Sequence, residues 1–184
     1  MVIKKGFSLI ELLIVVAIVG LLTAIFVPNA LLAIQKAKQR ETMKDMVGIA
    51  TAVADYITDS GEAPDAGNQS GPLLADSDFV KAISPSYIRK CPIRDQWGFN
   101  FRVYSGNTVA STYGIPAGDI GPDDFLIVSL GRDGADGGTR TFTYLPDDLP
   151  SGLYDMRSMA DFNNDLINLN GTWLHAPRLT SRTG

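Results

Sequence analysis

Four aspartates set among glycines are the residues of this chain best suited to holding a cation. Asp133 and Asp136 lie in the turn Gly131-Arg132-Asp133-Gly134-Ala135-Asp136-Gly137-Gly138, where glycines let backbone carbonyls point inward. Asp161 and Asp165 follow in Asp161-Phe162-Asn163-Asn164-Asp165 and can return to close the loop. Calcium takes about six to eight oxygens in a flexible cage, many from carboxylates and carbonyls. The same residues serve equally as turn formers, since Asp and Gly are common in turns. Another carboxylate, Glu11, stands in the opposite setting, inside the apolar run Phe7–Val27. An ionisable group there costs about 2.5–3.5 kcal/mol and marks function unless it snorkels to the interface.

Enzyme chemistry has little to build on. His175 is the only histidine, which excludes zinc sites with two histidine ligands, and no nucleophile-elbow motif surrounds any serine. An exposed histidine in a C-terminal loop is the expectation, and no catalytic residue is assigned. The single cysteine, Cys91, rules out an intrachain disulfide and is expected to pack as a small buried apolar residue. The net charge is −4, or −6 without Lys4 and Lys5. That balance gives no support to nucleic acid as a main partner, which needs a basic footprint.

The elements that must position these groups follow from hydrophobic period. At about 1.5 Å per residue, Phe7–Val27 spans roughly 30 Å as a helix, the thickness of a bilayer's hydrocarbon. The lysines before it favour a cytoplasmic N-terminus and an exported head. From Pro28 to about Ser60 the pattern turns amphipathic. Leu31, Ile34, Met43, Met46, Val47, Ala50, Val53, Ala54 and Ile57 recur at three- and four-residue spacing. Pro28 predicts a kink or local unwinding, and Gly61 suits a C-cap. Residues 62–72 read as a loop, and Ser77 caps a short helix ending at Ile83.

Beyond Pro92 the period becomes two. Phe99, Phe101 and Val103 alternate with polar residues as a half-buried strand, and Thr108 to Tyr113 is its expected partner. Phe125 to Leu130 is the strongest strand, Thr139 to Tyr144 a further β-rich stretch, and the chain beyond Pro146 reads mainly as loop. The aromatics Tyr56, Trp97, Phe99 and Phe101 are assigned to core packing.

Three segments together resemble a known family. Lys4-Lys5-Gly6-Phe7-Ser8-Leu9-Ile10-Glu11 resembles the type III signal of type IV pilins and type II secretion pseudopilins. The resemblance implies cleavage after Gly6 by a prepilin peptidase, N-methylation of the new Phe7 amine, and assembly into a helical homopolymer. It also implies that Glu11 pairs with the Phe7 ammonium of an adjacent subunit. Arg94-Asp95-Gln96-Trp97-Gly98-Phe99-Asn100-Phe101 is similar to the Asp-Pro-Trp-Gly-Asn-Pro-Tyr stretch of major pseudopilins, with Gln96 in place of the proline and Phe99 in place of the following asparagine.

The third segment, Asp124 to Gly138, resembles that family's strand and calcium loop. The ligand set it implies is Leu130 through its carbonyl, Asp133, Asp136 and a downstream aspartate. Asp165, in Asp165-Leu166-Ile167 before Trp173, matches that last element better than Asp161. The 26 residues between Gly138 and Asp165 exceed the family's compact loop and carry Asp147, Asp148 and Asp155. Many type IV pilins staple this region with a disulfide, which this chain cannot form.

The expected fold is α+β: a long N-terminal helix, membrane half then amphipathic half, packed on a small antiparallel sheet with a long C-terminal loop region. Residues 1–6 are read as leader, 7–29 as transmembrane and filament-core helix, and 30–184 as amphipathic helix half plus exported head. The resemblance implies the major pseudopilin of a type II secretion system, with a type IV pilus major pilin (adhesion, motility or DNA uptake) as the alternative. The implied partners are other copies of the chain, the prepilin peptidase, an inner-membrane assembly platform and minor pseudopilins. The implied location is the bacterial inner membrane, with a periplasmic head and a periplasmic or extracellular filament.

Overall fold

Residues too apolar to be hydrated, next to residues with one apolar stripe, yield a helix of 52 residues, α1 (Leu9–Ser60). The computed structural model describes residues 7–65, 72–137 and 143–178. In lipid every backbone group must bond within its own segment, so a helix suits the first part. The helix continues through Pro28, and the local unwinding expected there is absent. One proline removes one backbone bond, too little to stop a helix held on both sides. Gly61, at φ +83°, follows the last turn.

The chain divides into two compact units, Met1–Ala37 and Lys38–Gly184. In the first, large apolar side chains such as Leu9, Ile10, Leu21 and Phe26 are all exposed. This is the one helix, among the described residues, long and apolar enough to cross a membrane.

The second unit builds its core on the later turns of α1. Met43, Met46, Ile49, Ala50 and Val53 are buried at three- and four-residue spacing. They join Phe79, Val80 and Ile83 from α2 (Asp78–Ile83), whose Ser77 hydroxyl accepts the Val80 N–H as its N-cap. The sheet comprises β1 (Arg102–Ser105), β2 (Phe125–Ser129), β3 (Leu153–Tyr154), β4 (Leu166–Leu169) and β5 (Thr172–Pro177), in the order β1-β2-β4-β5-β3. It is antiparallel except at one edge, where two-residue β3 pairs parallel with β5.

Side-chain alternation sends Phe125 and Ile127 to the helix side, with Val103, Leu166 and Ala176. Leu126 and Val128 go to the opposite side, with Tyr104, Ile167 and Leu174. Both faces of β2 are therefore covered, which is why it is a continuous apolar run. Each large side chain there contributes roughly 1.5–3 kcal/mol by leaving water.

Two strand expectations are corrected. Thr108 to Tyr113 is not a strand; it passes through 3-10 turns at Gly106–Thr108 and Thr112–Gly114. β1 is an outer strand and pairs with β2, in the register Val103↔Ile127. The turns instead lower Val109 and Ile115 over the second core. The chain beyond Pro146 is not mainly loop either: Leu166 to Pro177 forms the β4–β5 hairpin around Asn170-Gly171, both at positive φ. Among the described residues between Leu130 and Asp165, the regular structure is β3 and the 3-10 turns Pro146–Gly152 and Met159–Asn163. The stretch expected at Thr139 to Tyr144 lies mostly outside the described residues, and so does the leader.

Candidate functional site

At the start of α1, Phe7 is 78 % exposed and the Glu11 carboxylate accepts a 2.9 Å hydrogen bond from the Ser8 N–H. That N–H is one of the donors a helix start leaves without a partner. Glu11 thus caps its own helix and is exposed on an apolar surface. Gly6, the expected processing residue, lies outside the described residues.

The acidic loop is assembled by backbone contacts. Gly131 sits at φ +66°, and a Cβ there would meet the carbonyl oxygens of Asn164 at 2.7 Å and Phe162 at 2.8 Å. The loop can approach residues 162–164 this closely only through glycine. Arg132 N–H then donates to the Phe162 carbonyl at 2.8 Å, and Gly137 N–H donates to Asp165 Oδ2 at 2.9 Å. The 26 intervening residues therefore do not keep Asp165 from the glycine turn. Beneath the turn, Ser129 donates to Asp95 Oδ2 at 2.9 Å, while Asp95 Oδ1 accepts from the N–H groups of Trp97 and Phe99. Burial raises the Asp95 pKa above the usual carboxylate range, against these hydrogen bonds.

Asp165 is the most perturbed carboxylate of the loop. It is only 2 % exposed, and its Oδ1 is buried with no hydrogen-bond partner. Burial pushes its pKa up to about 6; the Gly137 N–H opposes this, and the charges of Asp136 and Asp133 add to it. An orphaned carboxylate oxygen beside two further carboxylates fits a hard cation.

The other expected ligands divide. Asp133 Oδ1 accepts from Ala135 N–H at 3.1 Å and is exposed. Leu130 is buried where the loop leaves β2. Asp136 is clamped by Arg102, whose Nη1 lies 2.8 Å from both carboxylate oxygens, and accepts from the Tyr113 hydroxyl at 3.2 Å. Asp161 Oδ2 accepts from the N–H groups of Arg157 at 2.8 Å and Ser158 at 2.7 Å, so it caps its own turn. Among the described residues no group of three or more His, Cys, Asp or Glu side chains is arranged as a ready-made metal cage. Among the expected side-chain ligands, Asp165 is the one with a buried oxygen that lacks a hydrogen-bond donor.

Sequence reasoning missed two supports of this site. Arg102 gives no signal beyond its place in an alternating strand. His175 is not exposed but buried at 4 %, within β5. Its Nδ1 lies 2.8 Å from the Asp165 carbonyl oxygen, and its ring lies 4.9 Å from that of Tyr154. The Tyr154 hydroxyl in turn accepts from Gln39 Nε2. The alternation of Leu166 to Pro177 around Asn-Gly was the signal for that strand. Cys91 is buried as expected, its thiol pushed up to about 11 by burial.

Comparison with known proteins adds one family profile and three relatives. The profile of the prokaryotic N-terminal methylation motif covers residues 1–27. The type II secretion system core protein G of Vibrio cholerae serotype O1 is 30 % identical over 146 residues, 75 % of this chain and 87 % of that protein. Its counterpart from Dickeya chrysanthemi is 28 % identical over 111 residues, 55 % of this chain and 69 % of that protein. The type IV major pilin protein PilA of Myxococcus xanthus is 38 % identical over 78 residues, but these are only 37 % of this chain and 36 % of the pilin. No solved structure gives a significant match.

Proposed function

The chain belongs to the family of type II secretion system core protein G, and from that membership we propose that it is the major pseudopilin of such a system. The observation that carries the reading is the apolar helix start, exposed along its length while the head has its own core. Contiguous apolar surface of this extent requires lipid or like neighbours. Held in the inner membrane, the helix stores the subunit; in a filament, the same surface packs against the helices of other copies. A prepilin peptidase removes residues 1–6 and the Phe7 amine is methylated. Glu11 then exchanges the Ser8 N–H for the Phe7 ammonium of an adjacent copy, with the head on the periplasmic side. The pilus reading rests on a match of 78 residues and is the weaker one.

The loop between β2 and β4 is read as a calcium site held by Asp165, Asp133 and the Leu130 carbonyl. The ion supplies positive charge where Asp165 Oδ1 has no donor. Arg102 keeps Asp136 in place and lowers the repulsion around Asp165. Asp161 keeps to its cap.

Complementation tests the functional reading. Introduced into a type II secretion strain lacking its own core protein G, the chain should restore periplasmic filaments and secretion. Assembly only into retractable surface fibres would overturn it in favour of the pilus.

A further inference from the structure

The head carries its charges at two levels along α1. Arg89, Lys90 and Arg94 are exposed, and from residue 79 to residue 118 the only acid is buried Asp95. Gln96 fixes this segment to α1, its N–H donating to Thr42 Oγ1 at 3.2 Å and its Nε2 donating to Asp45 Oδ2 at 3.1 Å. Between the segment and the helix lies a groove of about 860 Å³. Val47 (45 % exposed), Gly48 and Pro92 give it an apolar lining, Lys44, Lys90 and Arg94 add cations, and Asp45, bonded to Gln96, is the one acid in it. Lys44 also pairs with Glu41.

The opposite charge lies at the far end of the helix. Residues 103–131 contain no Lys or Arg but carry Asp119, Asp123 and Asp124. Ala63 N–H donates to the Pro122 carbonyl at 3.0 Å, which places this loop just past Ser60, the last residue of α1. Lys44 and Ser60 are separated by about 24 Å at 1.5 Å per residue. The loop presents exposed Pro116 and Pro122 beside exposed Asp119 and Asp123. Burial raises the Tyr144 pKa and the charges of Asp119 and Asp124 raise it further, so Tyr144 shares this acidic surface. Among the described residues Lys90, Arg94, Asp119 and Asp123 form no salt bridge.

We propose that the groove receives the Pro116–Asp124 loop of a second copy of this chain, prolines against the apolar lining and aspartates against Lys90 and Arg94. The two surfaces differ and are displaced along one helix, so the contact is heterologous. Such a contact repeats from copy to copy and builds a helical filament rather than a closed dimer. Charge complementarity sets the register and suppresses wrong partners. The inference rests on the filament reading and names the head contact within it.

Charge exchange in the full-length chain, co-expressed with its assembly machinery, tests it. Lys90→Glu with Arg94→Glu should lower filament yield about tenfold, as should Asp119→Lys with Asp123→Lys. All four changes in one chain should restore it. Normal yield from either pair, or no restoration from the four, would overturn the contact while wild-type filaments kept the filament reading intact. Wild-type failure to polymerise would remove both. Folding is handled by a second measurement, with Lys90→Cys and Asp123→Cys in one Cys91→Ala chain. A short bifunctional maleimide applied to its filaments should give a covalent ladder, and each cysteine alone no multimers beyond background. Intact filaments without a ladder would place the groove away from that loop.

Discussion

At the scale of the residue, two carboxylates are held in different ways, and each can be tested by removing charge without shape. Glu11 accepts the Ser8 N–H, a service that glutamine also performs through its amide oxygen. Glu11→Gln should therefore leave the helix start capped but lower filament yield as severely as Glu11→Ala, if, as proposed, the charge pairs with a neighbour's Phe7 ammonium. Filament counts decide the matter: full assembly of the glutamine variant would leave Glu11 a capping residue alone. Asp165 is held the other way, protonated more readily folded than unfolded. With its pKa pushed up to about 6 by burial and by Asp136 and Asp133, the folded head binds more protons than the unfolded chain above about pH 4. The stability Asp165 contributes is present below that pH and falls as pH rises through about 6. Asp165→Asn should flatten this slope in urea melts made without metal. Calcium, which binds the ionised form, should stabilise wild type more as pH rises through the same window.

The decisive element is the loop from Leu130 to Gly137, held on residues 162–165 by the Arg132 N–H on the Phe162 carbonyl, Arg132 Nε on Asn163 Oδ1 and the Gly137 N–H on Asp165. Gly131→Ala forces a side chain into positive φ and against two carbonyl oxygens. The expected loss is about 1–3 kcal/mol, together with the calcium response, measured by melting the head fragment from Gln35 onward. With free calcium at about 100 times its dissociation constant, the ion should add roughly 2.7 kcal/mol to wild type. EGTA should remove that gain, and magnesium should restore little of it, since it prefers a tighter octahedral shell. Identical melting with and without calcium would return Asp133 and Asp165 to the role of turn residues. This loop was legible as chemistry, because glycine and aspartate at short spacing declare it. Its other half was not: Arg102 on Asp136 and His175 on the Asp165 carbonyl join groups 34 and 10 residues apart.

For the whole molecule, the division of labour follows from solvent. The first turns of α1 expose apolar side chains that water does not favour, whereas the head from Lys38 closes its own core. The proposed cleavage after Gly6 is tested at this scale. Gly6→Glu should leave the leader in place, since a bulky charge would occupy the position the peptidase reserves for glycine. Intact-mass measurement should then show the full chain, and efficient trimming of that variant would overturn the assignment.

What the sequence determined by itself was local or periodic. It marked the membrane helix, because some twenty consecutive apolar residues have few other solutions. It marked the amphipathic continuation to Ser60, the Ser77 cap and the apolar strand at Phe125, because capping and side-chain alternation act within a few residues. Only the tertiary structure decided the rest. Thr108 to Tyr113 has strand-like composition, yet β1 pairs with the distant β2 and the segment becomes a cover for the second core. Leu166 to Pro177 becomes the hairpin that completes the sheet and buries His175. Asp161 and Asp165, four residues apart and alike in sequence, part company because one meets the N–H groups of its own turn and the other is carried inside with an oxygen unpaired. Strand pairing and burial depend on what lies across the fold, and no local pattern encodes the partner.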